Sequence, residues 1–295
     1  MSGRVLCIGS VLWDVIGRSS AVMRVGSDVP GRITRLPGGV AMNIAMTLRR
    51  FGMAPTLLSA VGRDPAGDAL MADADRLGLN TSLVYRSDDL PTDQYMAVEG
   101  ANGVIAAIAD AHSLEAAGAK ILAPLLDGRL GDETTPYSGP IAVDGNLTEM
   151  LLADIAGNPA FAAADVRIAP ASPGKAERLL PILAMRNATL YVNLEEAGLL
   201  CHRTFSTAPE AANALRETGA GNVLVTDGGR SAAHATADET LTAEPPQVLV
   251  TRVTGAGDTF MAAHIAAEAR GEDKHTALQT ALKSAAAYVS GDVPS

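Results

Sequence analysis

The chain has 295 residues, 47% hydrophobic but only 3% aromatic, so Ala, Leu and Val must fill a core of the size one large α/β domain needs. A formal net charge of −10, from 23 basic and 33 acidic residues, argues against nucleic-acid binding as a main role. Two isolated cysteines, Cys7 and Cys201, speak against a disulfide scaffold or a structural zinc site, and no apolar run approaches the ~18–20 residues of a membrane span.

The opening MSGRVLCIGSVLWDVIG has one early arginine and no small-residue cleavage pattern. It reads as a first buried strand, not a signal peptide, and a cytoplasmic location is expected. Val5 to Gly9 is a continuous apolar run closed by glycine, as a strand covered on both faces requires. Val15 to Gly39 is polar, glycine-punctuated and without a helical period. Asn43 to Gly52 spaces apolar residues at helical intervals and carries Arg49 and Arg50 in its last turn. Residues 57–62 predict a strand, and the acidic stretch around Asp73 a solvated helix end. Gln94 to Asp110 reads as two strands joined by a turn at Gly100–Gly103, with Asn102-Gly103 inside it. Residues 141–146, 166–169, 189–194 and 222–228 are further strands, and 247–253 is strand-like. Helices from Asp258 to Ala269 and from His275 to Ser290 close the chain. Strands alternating with helices predict βαβ units: an α/β fold with a mostly parallel sheet and helices on both faces. The two irregular stretches, about 12–38 and 92–111, predict a small β-sheet standing off it.

In an open α/β sheet a ligand sits beyond the carboxyl ends of the strands. Asp14, Asp144, Asn146, Asn193, Thr226 and the 255–258 turn all fall at such ends. Gly255, Ala256 and Gly257 let successive amides point one way at a helix start, where the dipole favours negative charge. Asp258, in the first helical turn, can take a proton from an attacking hydroxyl, a role worth roughly 10²–10⁴-fold in rate. The plainer alternative is a helix-start aspartate after turn glycines. Gly38 and Gly39 permit close backbone approach to a ligand, and Asn43 offers a donor and an acceptor to a hydroxyl pair; alternatively Asn43 caps a helix. Asp14 suits sugar hydroxyls, or is a turn aspartate. His112, His202, His234, His264 and His275 show no H-x-x-x-H or H-x-H pairing, so single surface or helix-face roles are expected.

The early GG…N segment (Gly38, Gly39, Asn43), N-x-x-E at Asn193–Glu196, T-x-G at Thr226–Gly228 and the late TGAGDTF resemble the ribokinase-like (PfkB) carbohydrate kinase family in order and spacing, over nearly the whole chain. The softer stretches VPGRITRLPGGVAMNIAMTLRRFG, TDQYMAVEGANGVIAAIAD, VDGNL and APASPGKAERL resemble its pseudouridine kinase branch. The resemblance implies a Rossmann-like layer with a β-sheet lid. It implies transfer of phosphate from ATP, with Mg²⁺, to the primary hydroxyl of a small-molecule acceptor, pseudouridine or a near relative. Ribose, a keto sugar acid or adenosine are the alternatives, and a catalytically inactive ligand-binding relative is the remaining one.

Carried over by residue, Asp258 is the base and the amides of Gly255, Ala256 and Gly257 the anion hole. Asp14, Gly39 and Asn43 hold the ribose, with Asp110, Asn146 and Lys175 as further substrate contacts. Asn193 and Glu196 order the Mg²⁺ and phosphate region, Glu196 through water, and Thr226 and Gly228 line the nucleotide phosphates. A homodimer through the lid is expected, with no nucleic-acid or membrane partner. Three positions depart from the pattern. Arg252 stands where members often carry Asp or Asn, associated with a monovalent-cation loop. Met42 replaces an arginine, and Ser231 a glycine. A dinucleotide-dependent oxidoreductase is disfavoured because the first strand leads into GSVLWD, not G-x-G-x-x-G.

Overall fold

The computed structural model describes residues 3–292 apart from Val25, Ser27 and Asn102, so the Asn102 position of the expected 100–103 turn lies outside the described residues. The chain opens with β1 (Arg4–Ile8), β2 (Leu12–Arg18), β3 (Arg32–Gly38) and α1 (Val40–Arg50). It continues with β4 (Ala54–Leu58), β5 (Ala60–Gly62), α2 (Pro65–Arg76), β6 (Tyr85–Ser87), β7 (Gln94–Gly100), β8 (Gly103–Asp110) and α3 (His112–Ala117). Next come β9 (Pro140–Asp144), α4 (Glu149–Gly157), β10 (Asp165–Ala169), β11 (Ala188–Asn193), α5 (Leu194–Cys201) and α6 (Ala208–Glu217). The last elements are β12 (Asn222–Asp227), β13 (Arg230–Ala235), β14 (Thr240–Ala243), α7 (Ala256–Ala269) and α8 (Lys274–Ser290).

The main sheet has the order β14-β13-β12-β11-β10-β9-β1-β4. Six neighbouring strands, β4 to β12 in that order, run parallel, and β13 and β14 add antiparallel edges. Strand order reverses at β1, between β4 and β9, which opens a crevice at the carboxyl ends. The period of two along β1 decides the two cores. Leu6 and Ile8 enter the layer formed with α4, α5 and α6, while Val5 and Cys7 enter the layer formed with α1, α2, α7 and α8. Each such fully buried side chain stabilises by roughly 1.5–3 kcal/mol.

Helix α7 is buried on every side from Thr259 to Ala267, which its run of small and apolar residues permits. It lies between the sheet and helices α1 and α8, so solvent reaches it only at its two ends, the first turn and the last two residues. Within this layer His264 meets His234 of β13, ring centroids 5.3 Å apart, and the Tyr191 hydroxyl lies 3.0 Å from His264 Nδ1. These two histidines are therefore core residues and not single surface groups: one sheet face brings β13 and α7 together.

A second sheet, ordered β3-β2-β7-β8, stands apart from the first. Asp14 pairs with Leu36 and Tyr95 on one face of it. On the opposite face the register aligns Ile33, Met96 and Ile108, exposed by 79%, 50% and 66%. Trp13 roots that face in the main layer: its indole N–H donates to the Ala66 carbonyl of α2 at 2.8 Å, and Arg35 lies 4.0 Å over the ring.

Three local expectations are corrected. Residues 57–62 belong to two strands in different sheets, because β5 turns away to pair with β6. Residues 247–253 form no strand: Leu249 and Val253 are 82% and 71% exposed, and the Thr251 and Arg252 amides donate to the Val289 carbonyl at the end of α8. Helix α1 begins at Val40, not Asn43, since Gly39 with φ 96° supplies the turn that starts it.

Candidate active site

The carboxyl ends of β1, β9, β11 and β12 and the first turns of α1 and α7 converge on one crevice edge. β1 ends in Gly9 and Ser10. The Ser10 amide donates to Asp144 Oδ2 at 2.8 Å, and its hydroxyl donates to the same oxygen. That hydroxyl also accepts from the Val40 amide at 2.9 Å, which tethers the start of α1. Gly9 is required here, because a Cβ would fall 2.2 Å from that of Asp144. Asp144, fully buried, further accepts from the Asn146 amide at 2.7 Å. Asn146 in turn accepts from Lys175 Nζ, and Arg178 donates to the Asn146 carbonyl at 3.0 Å and to Glu115 at 2.9 Å. Burial lowers the Lys175 pKa, as does the Arg178 charge, and Asp144 and Glu115 oppose them.

Helix α1 carries this network to α7. Asn43, one turn after Gly39, donates through Nδ2 to Asp258 Oδ2 at 2.9 Å across 215 residues of sequence. Burial raises the Asp258 carboxyl to about 7; the Asn43 amide pulls it down, and the charges of Asp144, Asp14 and Glu196 push it up. The carboxyl is held in from solvent, while the residue as a whole is partly exposed at the helix start. Asp14, on the second sheet, is raised by burial to about 6.

Gly38 and Gly39 are close to protein, not only open to a ligand. A Cβ on Gly38 would meet the Asp14 carboxylate at 2.2 Å, and one on Gly39 the Ser10 carbonyl at 2.5 Å. The 255–257 turn also differs in one respect from expectation. Ala256 donates its amide to the Val253 carbonyl at 3.1 Å, whereas those of Gly255, Gly257 and Asp258 find no protein acceptor among the described residues. The run of amides without a protein acceptor thus leaves out Ala256 and takes in Asp258. It is made by Gly255 at φ 87°, and by Gly257, where a Cβ would meet only open space.

Asn193 and Glu196 form a reciprocal capping box on α5: the Glu196 amide donates to Asn193 Oδ1 at 2.9 Å and the Asn193 amide to Glu196 Oε2 at 2.8 Å. The motif therefore has a structural duty. It also buries the Glu196 carboxyl, which burial raises to about 7. Thr226 pairs with Asn193 across β11 and β12, and Gly228, exposed at φ 57°, turns the chain beyond it. Asp110 is not drawn into the cluster: it sits exposed at the end of β8 and bonds His112 Nδ1 at 2.7 Å.

Met42, one residue before Asn43, is fully buried in the α1–α7 core. Sequence reading passed over Ser10, Arg178 and Tyr288, whose hydroxyl donates to the Thr254 carbonyl at 3.0 Å. Ser10 alone carried a signal, as a small polar residue ending the first strand. Chemically, a carboxyl poised near neutrality beside free amides can accept a hydroxyl proton while those amides receive negative charge.

The sequence of pfkB family carbohydrate kinases matches residues 2–292. A pseudouridine kinase of Escherichia coli is 29% identical over 263 residues, covering 88% of this chain and 81% of that protein. One from Arabidopsis thaliana is 26% identical over 246 residues, 76% of this chain and 63% of that one. Among solved structures, Arabidopsis thaliana ribokinase complexed with ribose and ATP superposes with a TM-score of 0.78 at 19% identity, over 100% of this chain and 94% of that one. Sheet order, extra sheet and residue match agree, and the chain belongs to the pfkB carbohydrate kinase family, as a phosphotransferase that acts on an alcohol group of a sugar or nucleoside.

Proposed function

We propose that the protein transfers the γ-phosphoryl group of ATP to the 5′-hydroxyl of a nucleoside, with pseudouridine as the acceptor. The observation that carries this reading is the Asn43–Asp258 bond, which ties a hydroxyl-recognising amide to a carboxylate beside free helix-start amides. Asp14 and Asn43 hold the ribose hydroxyls and fix the 5′-oxygen near Asp258, with Gly39 shaping the turn between them. Asp258 accepts the hydroxyl proton as the new O–P bond forms and the bond to the departing ADP breaks. The amides of Gly255, Gly257 and Asp258 stabilise charge on the transferring group, where phosphoryl transfer gains most of its catalysis. Thr226 and Gly228 line the remaining phosphates.

The acceptor site is acidic, with the charges of Asp14 and Asp144 both within range of Asp258. That composition favours a neutral polyol and disfavours a sugar that already carries phosphate. Lys175 and Asn146 add a cationic donor and an amide beside it, a pairing suited to the carbonyl and imide edge of a uracil-like base. The pseudouridine kinase relatives point the same way.

Among the described residues no group of three His, Cys, Asp or Glu side chains is set to hold a metal ion. The donor set fits Mg²⁺ carried on the nucleotide, with Glu196 reaching it through water: one carboxylate oxygen holds Asn193, and the other has no protein partner among the described residues. When bound, Mg²⁺ neutralises phosphate-oxygen charge. Asn193 fixes the Glu196 rotamer. The second sheet acts as a lid that excludes water, and its apolar outer face, Ile33, Met96 and Ile108, joins two copies as a homodimer.

ATP turnover to ADP across pseudouridine, uridine, adenosine, ribose and a keto sugar acid tests the assignment. Pseudouridine should give the highest kcat/KM. A higher value for ribose or adenosine overturns the acceptor, and absence of turnover with every acceptor overturns the kinase reading for this chain.

A further inference from the structure

The turn that presents the free amides is held from behind by a cation. Arg252 Nε donates to the Tyr288 carbonyl at 2.7 Å, and its guanidinium carbon lies 3.9 Å over the Tyr288 ring. The Val289 carbonyl accepts from the Thr251 amide at 2.8 Å, from the Thr251 hydroxyl at 3.0 Å and from the Arg252 amide at 3.2 Å. These are carbonyls of the last turn of α8, the negative end of a 17-residue helix that carries no basic residue there. The same Tyr288 then reaches over to the turn itself. Its hydroxyl donates to the Thr254 carbonyl at 3.0 Å and lies 2.6 Å from where a Cβ on Gly255 would stand. One tyrosine is thus clasped by Arg252 on its face and braces Gly255 with its tip.

We infer that Arg252 is a resident cation, which positions the 251–255 turn through Tyr288 in the place of the monovalent ion that family members associate with this loop. The residues do not fit such an ion. Where an acidic side chain would attract it, this chain places a guanidinium, and the helix-end carbonyls of Tyr288 and Val289 are already engaged by N–H and O–H donors. A second cation here would meet a like charge across a few ångströms. Arg252 is a positioning residue and does not touch the reacting atoms: it acts by keeping the amides of Gly255 and Gly257 aimed at the crevice.

The inference rests on the kinase reading, and the test separates the two. ADP affinity by calorimetry and ATP turnover are measured in tetramethylammonium buffer, without and with added potassium. The wild type should show the same ADP affinity and kcat/KM in both. Arg252→Asp should lose about tenfold to a hundredfold in turnover without potassium, as expected for a catalytic turn displaced by an ångström or less. It should regain most of this loss, and its ADP affinity, when potassium is added, and Arg252→Lys should keep most activity in both media. Potassium activation of the wild type overturns the inference without need of any variant, as does an Arg252→Asp protein fully active in tetramethylammonium. A wild type that binds no nucleotide in either medium would overturn the kinase reading and this one with it.

Discussion

The two sheets of this molecule are built from similar strands and put to opposite uses. In the main sheet β1 is covered on both faces, and its end delivers Ser10 to a fully buried Asp144. In the second sheet every residue of β8 is exposed, while Asp14 of β2 lies close enough for its charge to act on Asp258. Little apolar burial means a low free-energy cost of displacement. In the proposed function a rigid half therefore carries the proton acceptor and the anion-stabilising amides, while a lightly held half carries part of the acceptor's grip. Chemistry that must exclude water yet admit substrate needs both.

The comparison is most sharply broken at the rigid half. Asp258→Asn keeps the shape and the Asn43 contact but removes the base, and turnover should fall roughly 10²–10⁴-fold while acceptor binding, followed by calorimetry, persists. Equal turnover in the variant would reject the role. At the lid, Asp14→Ala should raise the acceptor KM about tenfold to a hundredfold and leave kcat less affected, because it deletes hydrogen bonds made by a charged group in the ground state as well as later. A loss confined to kcat would move Asp14 into the chemical step.

A pH series sharpens the contrast without any substitution. Burial holds Asp258 up at about 7, so the proton-bound, inactive form accumulates below that pH and the carboxylate above it. The kcat/KM of the wild type should therefore rise through about pH 7, falling roughly tenfold per unit on the acid side. A profile flat from pH 5 to 8 would show that this carboxyl does not gate the reaction. The smallest effect belongs to the lid's outer face. Ile108→Lys should shift the mass seen by light scattering from dimer to monomer, with turnover per chain the least altered of these measurements. An unchanged mass would mean that this face does not join two copies.

Much of the main layer was legible because its signals are local. Continuous apolar runs mark strands covered on both sides, and β1, β9, β10, β11 and β12 lie within a residue or two of the expected spans. The 247–253 run failed for the complementary reason: an apolar stretch reads as a strand only if something covers it, and Leu249 is left in solvent. The Asn193–Glu196 spacing allows two readings, since the capping box that the structure shows uses the same residues as the proposed metal-side carboxylate.

By itself the sequence determined the spans of β1, β9, β10, β11 and β12 and the glycine turn ahead of Asp258, since each depends on backbone preferences and periodicity within about ten residues. Tertiary structure alone decided that Asn43 meets Asp258, that Ser10 meets Asp144 134 residues away, and that Arg252 closes on Tyr288. Burial, the Asn43 contact and the Asp144 charge bear on the Asp258 carboxyl's proton affinity, and in the inference drawn above the Arg252 contact sets the aim of the amides. Both depend on burial and on charges brought together by folding, and no local pattern encodes either.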